Sequence, residues 1–447
     1  MRTRCRRLAV LAAALLGVVV PVGRAGATTR TGAATLETDG SWPGLGTVCE
    51  KGPGGSETAR GVGAHSVDIA TFADPGNAAE PGLNAEFFEL AGAFARWCNA
   101  AGGIDGRTIV VHDRDAGLFN AAQVTDEACQ QDFMAVGGGL VFDGPAAPVR
   151  VGCGLGNIPS YVVSNEAAAA ALQVNPQDIR VGEIEAGWYG ALGHRYPQAI
   201  RHFGIGAANE PSILDPTRKW EQAAEQQGWK VVDWQEPPFT VTDWAPYVAE
   251  AQSKGVEALE TPTGTNVETY FEAMDTADYH PTFIFLGIGI PERLGNQEAH
   301  VAVSGPLPPI YFATQNWPFE LAAQSPGLEQ LIALMRRYAA GDPIDTDDEY
   351  AVDAWLLFAK SASACGADLT VSCVLDHAAA QTNWTGGGVY APIAHLGLSD
   401  QRPTPSDCFL LMEVKGSGFA YDEADTRPND QIWHCDVTSL FHVTGNG

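Results

Sequence analysis

From Ser66 onward, short runs of β-forming residues alternate with longer stretches whose apolar residues recur at helical spacing. Strands separated by helix-length connections lie parallel with helices packed on the sheet, so few folds remain open to such a chain. Residues 66–72 (SVDIATF) read as a strand, and Asp74-Pro75-Gly76-Asn77 reads as the turn after it. Asn84 is placed to cap a helix reaching about Ala101, with Phe87, Leu90, Phe94 and Trp97 on one face. Strands at 107–112, 135–142 and 158–164, with helices at 121–133 and 144–152, complete a first set. The alternation restarts after Asn175-Pro176-Gln177-Asp178. Helices at 181–196, 216–227, 244–253 and 267–277 and strands at 200–205, 230–234, 256–261 and 281–287 form a second set. Beyond Pro306-Leu307-Pro308-Pro309 come a strand at 310–314, helices at 327–340, 347–363 and 369–381, and strand-like pieces at 389–394 and 409–415.

The cysteines divide along the same lines. Cys5 belongs to a leader, in which Arg2, Arg4, Arg6 and Arg7 precede an apolar run from Leu8 to Val20 and Ala25-Gly26-Ala27 offers a cleavage site. That is the pattern of a secretory signal peptide, and its apolar run is too short to span a bilayer. Cleavage after Ala27 leaves Thr28 as the mature N-terminus, and no cysteine follows the run where a lipid anchor would be attached. The other eight, Cys49, Cys98, Cys129, Cys153, Cys365, Cys373, Cys408 and Cys435, read as disulfides in an exported chain. Four precede residue 154 and four follow residue 364, which suggests one domain holding every bridge beside a cysteine-free lobe. Cys365 is expected to pair with Cys373 across a helix–helix loop, and Cys408 with Cys435 across C-terminal strands. Cys129–Cys153 and Cys49–Cys98 are the pairings taken for the remainder, although spacing leaves others open.

Composition narrows the function. Hydrophobic residues make up 45% of the chain and charged residues 18%, as in a globular protein. Against 54 Asp+Glu stand 26 Lys+Arg, a formal net charge of −28. Nucleic acid demands basic patches and is excluded as a partner, the same acidity argues against binding anionic membranes, and no direct membrane insertion is expected. No cofactor or metal is expected. The histidines are scattered, and Gly204-Ile205-Gly206-Ala207-Ala208-Asn209 lacks the third glycine of a dinucleotide loop. Asp345–Glu349 (DTDDE) reads as an acidic helix start, and Gly137-Gly138-Gly139 as a close backbone approach. His434 and His442 fall in what reads as a solvated tail.

Three stretches carry a resemblance. The first is Trp97-Cys98-Asn99-Ala100-Ala101-Gly102-Gly103-Ile104-Asp105-Gly106-Arg107. The second is Phe239-Thr240-Val241-Thr242-Asp243-Trp244, followed by a helix and Lys254-Gly255-Val256-Glu257-Ala258. The third runs from Leu369-Thr370-Val371-Ser372-Cys373-Val374-Leu375 to Trp384-Thr385-Gly386-Gly387-Gly388. In this order, over roughly residues 60–425, the chain resembles the extracellular solute-binding receptors of the leucine/isoleucine/valine-binding type. The resemblance implies an α/β fold of two Rossmann-like lobes with parallel sheets joined by a multi-strand hinge. The expected division is a leader (1–27), an N-terminal arm (28–60), lobe one in two pieces (61–177 and 311–425), lobe two (178–310) and a C-terminal tail (426–447).

In such receptors a small molecule is captured between the lobes, beyond the carboxyl ends of the strands, for an ABC permease or a membrane sensor. Mapped onto this chain, that geometry selects Asp74, Asn77, Phe142, Asp143, Ser164, Asn165 and Glu166 in lobe one. It selects Thr261, Thr263 and Gly287 in lobe two and Trp317 near a crossover, with Phe142 or Trp317 packing the ligand's apolar part. The chain departs from amino-acid-binding members at Phe142-Asp143-Gly144-Pro145, which lacks their hydroxyl residue, and Glu166 stands near the next one. A ligand carboxylate would be repelled there, so a neutral or cationic small molecule is expected. The protein is expected to be a non-enzymatic, secreted or periplasmic monomer. The alternative is a secreted hydrolase using cleft carboxylates among Asp143, Glu166 and Glu292.

Overall fold

A computed structural model describes residues 36–78, 80–177, 180–264, 267–286, 292–294, 308–415 and 418–444. The leader, with its expected cleavage site, lies outside them, as does Gly287. The N-terminal arm forms a small hairpin of β1 (Ser41–Trp42) and β2 (Gly46–Thr47). Then come β3 (Ser66–Ala73), α1 (Glu86–Ala101), β4 (Thr108–Asp115), α2 (Ala121–Gln131), β5 (Met134–Val136), α3 (Ala146–Cys153) and β6 (Gly156–Ile158). These four strands make an all-parallel sheet in the order β4-β3-β5-β6. A short α4 (Asn165–Ala168) leads toward the second lobe.

The second lobe opens with β7 (Glu183–Glu185) and α5 (Gly187–Arg195), where helical spacing alone suggests one continuous helix. It continues through β8 (Phe203–Gly206), α6 (Pro211–Gln226), β9 (Val231–Gln235), α7 (Ala245–Ser253), β10 (Ala258–Glu260), α8 (Val267–Thr276) and β11 (Phe283–Phe285). After β12 (Ile310–Thr314) follow α9 (Pro326–Tyr338), α10 (Thr346–Cys365), α11 (Val371–Ala379), β13 (Thr382–Trp384) and β14 (Ile393–His395). The chain ends with β15 (Cys408–Lys415), β16 (Gly418–Tyr421), α12 (Glu423–Thr426), β17 (His434–Cys435) and β18 (Leu440–His442).

The sheet register corrects the expected division of the chain. β12 lies parallel on β11, β15 antiparallel on β12, and β16 on β15, so these strands extend the second lobe's sheet. Only the helical block between them returns to the first lobe, where α9 and α10 pack on α1. Strand pattern reports a strand but not its partner, which is why 310–314 and 409–415 were assignable to either lobe. α10 is buried nearly all round. Its start is closed by a capping box in which Asp345 Oδ1 accepts from Asp347 N (3.0 Å) and Asp348 Oδ2 from Asp345 N (3.0 Å).

The bridges are Cys49–Cys98, Cys129–Cys153, Cys365–Cys373 and Cys408–Cys435. Three staple the first lobe, but the fourth joins β15 to β17 in the second lobe's sheet, so the bridges do not all share a domain. The glycines of the first resembling stretch have a steric cause. Gly103 sits at φ +82°, and a Cβ there would lie 2.1 Å from the Arg107 carbonyl oxygen. Asn84 does not cap α1; it adopts φ +58° and donates through Nδ2 to the Tyr161 hydroxyl (2.5 Å). Among the described residues no helix is long and apolar enough to cross a membrane.

Candidate functional site

The loops that follow the parallel strands of the two lobes meet each other. Leu118 and Phe142, from the loops after β4 and β5, share one buried cluster with Ala207, Ala208 and Ile213 beyond β8. Phe239, beyond β9, packs on it, with its ring centroid 5.4 Å from that of Phe142. On the other side Phe142 meets Phe119 at 5.6 Å, and Phe119 stays 76% exposed at the rim. A polar contact also crosses: Asn165 Nδ2 donates to Asp215 Oδ2 on α6 (3.0 Å).

Four of the expected ligand residues serve to build this rim. Asp74 is fully buried, and its carboxylate accepts from Leu118 N (2.7 Å) and Val141 N (2.9 Å), joining three loops at once. Burial raises its pKa, and those two amides oppose the rise. Asn77 donates to the carbonyls of Asp74 (2.7 Å) and Glu80 (2.8 Å) and accepts from Glu80 N (2.6 Å). Asp143 accepts from Val163 N (2.7 Å) and Ser164 N (2.9 Å), while burial pushes its carboxyl up to about 6. Ser164 caps α4, accepting from Ala167 N (3.2 Å). The Asp74 and Asp143 carboxylates each accept from a backbone amide on both oxygens, a structural use that local sequence could not reveal.

The others divide. Glu166 is exposed beside Asp215, and its charge adds to burial in raising the Asp215 pKa. Thr261 and Thr263 lie just past β10, where Thr263 exchanges backbone hydrogen bonds with Gly206 and Ala208. Two buried atoms of the expected set have no hydrogen-bond partner: Asn165 Oδ1 on the first lobe and Thr263 Oγ1 on the second. Trp317 is core instead. Its ring stands edge-on to Trp433 at 5.0 Å, and its indole N–H donates to the Leu321 carbonyl (3.1 Å). Glu292 is buried as well. It accepts from Phe319 N (3.1 Å), and its pKa rises to about 8 by burial, with Glu320 adding repulsion.

Sequence reasoning missed Asp215, Phe239 and Tyr161. Pro211 at the first turn of α6 was the signal that the helix starts early enough to carry Asp215. Phe239 follows Pro237-Pro238, a loop marker after a strand. Tyr161 was read as strand. Burial and the charges of Asp347, Asp74 and Asp143 hold its phenol well above the usual range, and it accepts from Asn84 Nδ2 (2.5 Å). Below the rim a cavity of about 40 Å³ lies among Phe72, Gly138, Asp143, Arg150, Tyr161 and Gln173, room for water but not for a ligand. Two groups of metal-capable side chains, Cys365–Cys373–His377 and Asp407–Cys408–Cys435, each contain a disulfide and so offer no thiolate.

This architecture is widely shared. A solute-binding protein from R. palustris in complex with 4-hydroxybenzoate matches with a TM-score of 0.61 and 14% identity, over 80% of this chain and 95% of that one. A fatty acid ABC transporter substrate-binding protein from Thermomonospora curvata gives 0.62 and 15%, over 82% and 93%. A branched-chain amino acid transporter substrate-binding protein from Streptococcus pneumoniae in complex with isoleucine gives 0.58 and 16%, over 80% and 100%. At these identities the likeness is one of fold. No curated protein matches by sequence. Residues 88–419 match the family described as periplasmic binding protein. With two hinged α/β lobes meeting at their strand ends and that match spanning most of its length, the chain belongs to the periplasmic binding-protein family, the solute-binding receptors of ABC transporters.

Proposed function

We propose that this receptor captures a small neutral or cationic molecule between its lobes and delivers it to an ABC permease. The observation that carries the reading is the pair of buried, unpartnered atoms on facing lobes, Asn165 Oδ1 and Thr263 Oγ1. Leaving such atoms unmatched costs about 1–3 kcal/mol each, a cost that a ligand donor bridging them would remove. Glu166, exposed beside Asp215, which hydrogen-bonds Asn165, disfavours a ligand carboxylate. The receptor belongs with the leucine/isoleucine/valine-binding type in architecture but not in ligand. A leader cleaved after Ala27, a monomeric mature form, and a membrane sensor as the alternative recipient complete the proposal. The hydrolase alternative finds no acid pair to support it, since backbone amides hold the carboxylates of Asp143 and Glu292 and leave Glu166 as the one exposed acid of the three.

The test is a thermal-shift screen of ligand-stripped mature protein against amino acids, amides, polyamines, sugars and aromatic acids. A ligand at ~100 times its Kd adds about 2.7 kcal/mol, a shift easily read. A neutral or cationic hit recovered unchanged supports the reading. Hits confined to carboxylates refute the ligand class, and consumption of the hit restores the enzyme alternative.

A further inference from the structure

The family match ends at residue 419, yet the chain continues as an ordered segment that touches all three passages between the lobes. The first passage enters β7, the second leaves β12 and the third enters β15. At the third, β17 pairs with β15 (Cys408 opposite Cys435, Phe409 opposite His434), and the Cys408–Cys435 bridge makes that pairing covalent. At the second, Trp433 is 1% exposed, stands edge-on to Trp317 at 5.0 Å, and donates from Nε1 to the Gln315 carbonyl (3.1 Å). Gln315 in turn donates to the Cys408 carbonyl (2.9 Å), linking the second passage to the third. At the first, β18 pairs with β7 (Leu440 opposite Glu185, His442 opposite Glu183), and Val443 N donates to the Gly182 carbonyl (3.0 Å).

We infer that residues 429–443 form a strap that braces the hinge. Lobe closure in such folds is absorbed by backbone rotation at a few residues in the connecting passages. Three passages free of one another can each take up rotation. Three passages tied to one covalently anchored strap must rotate together, which narrows the range of opening. The tail therefore restrains the hinge, rather than standing solvated, and the inference does not depend on which ligand is bound.

Fluorophores placed through encoded non-cysteine handles at exposed Asp126 on α2 and Glu225 on α6 report the distance between lobes in single molecules of the ligand-stripped protein. Wild type should give one narrow distribution. Trp433→Ala, which keeps the bridge, and the double variant Cys408→Ala/Cys435→Ala should each broaden it toward longer distances and raise the open fraction about tenfold. A strap that merely stabilises the sheet edge would lower Tm and leave the distribution at its wild-type width, and that result in folded Trp433→Ala overturns the inference. If the double variant fails to fold, Trp433→Ala alone decides.

Discussion

Replacing Phe239 with Ala removes the second lobe's aromatic contribution to the contact between lobes. The edge-to-face pair it makes with Phe142, at 5.4 Å and 67° between planes, is worth about 0.5–1.5 kcal/mol beyond the area it buries. Truncating a fully buried Phe costs roughly 3–5 kcal/mol, but Phe239 is only half-buried, so the total comes to about 2 kcal/mol. The pair forms only when the lobes are together, so that cost falls on the closed state, and 2 kcal/mol lowers its weight about thirtyfold. A ligand that binds the closed state loses apparent affinity in proportion to the fraction of receptor competent to hold it. Small-angle scattering of the ligand-free variant should show a larger radius of gyration, and titration calorimetry with the screened ligand a weaker Kd. Phe119→Ala serves as a control, because its ring is 76% exposed and its loss should change both readings little. Unchanged radius and unchanged Kd in Phe239→Ala would refute the reasoning.

Further outcomes follow from individual groups. Thr263→Val deletes a buried hydroxyl with no partner, so it should raise stability by about 1 kcal/mol while weakening ligand binding about tenfold; a loss of both would mean that the hydroxyl is structural. Asp353 is pushed up to about 8 by burial, against the opposing donors Trp384 and Gln177. Its folded form therefore keeps a proton that the unfolded chain releases near pH 4. That contribution to stability is complete below about pH 4 and is lost as pH rises through 8. Asp353→Asn should flatten the decline in Tm between pH 5 and 8. Gln177, whose Oε1 has no partner, can turn its amide to accept from the new one, so the variant should fold normally. Gly138→Ala should cost about 2 kcal/mol or more in chemical denaturation, because a Cβ there would sit 2.4 Å from the Phe72 backbone.

Much of the first lobe was readable because its signals are local. The apolar face of α1, the turn after β3 and the glycines before β4 each act within about a dozen residues, where periodicity and backbone sterics decide. Gly137-Gly138-Gly139 was legible for the same reason, since a glycine run inside an apolar strand pattern signals close backbone contact. Element ends were less so. β5 stops at Val136, although apolar residues continue, because Gly137 turns the chain at φ +64°. The candidate site was legible in its loops but not in its chemistry. Asp74 and Asp143 are ligand candidates by position in the chain, but their carboxylates accept from the amides of Val141 and Ser164.

The sequence by itself determined a strongly acidic chain, eight cysteines from Cys49 onward and an alternation of strand and helix compatible with two parallel-sheet lobes. Tertiary structure decided which sheet received β12 and β15, since strand pairing is set by hydrogen bonds between distant segments. It also decided that Trp317 belongs to the core with Trp433, and that the last residues tie the passages together. Partners such as Trp433 and Gln315 stand 118 residues apart. No local pattern encodes that separation; only packing the chain against itself brings the two together.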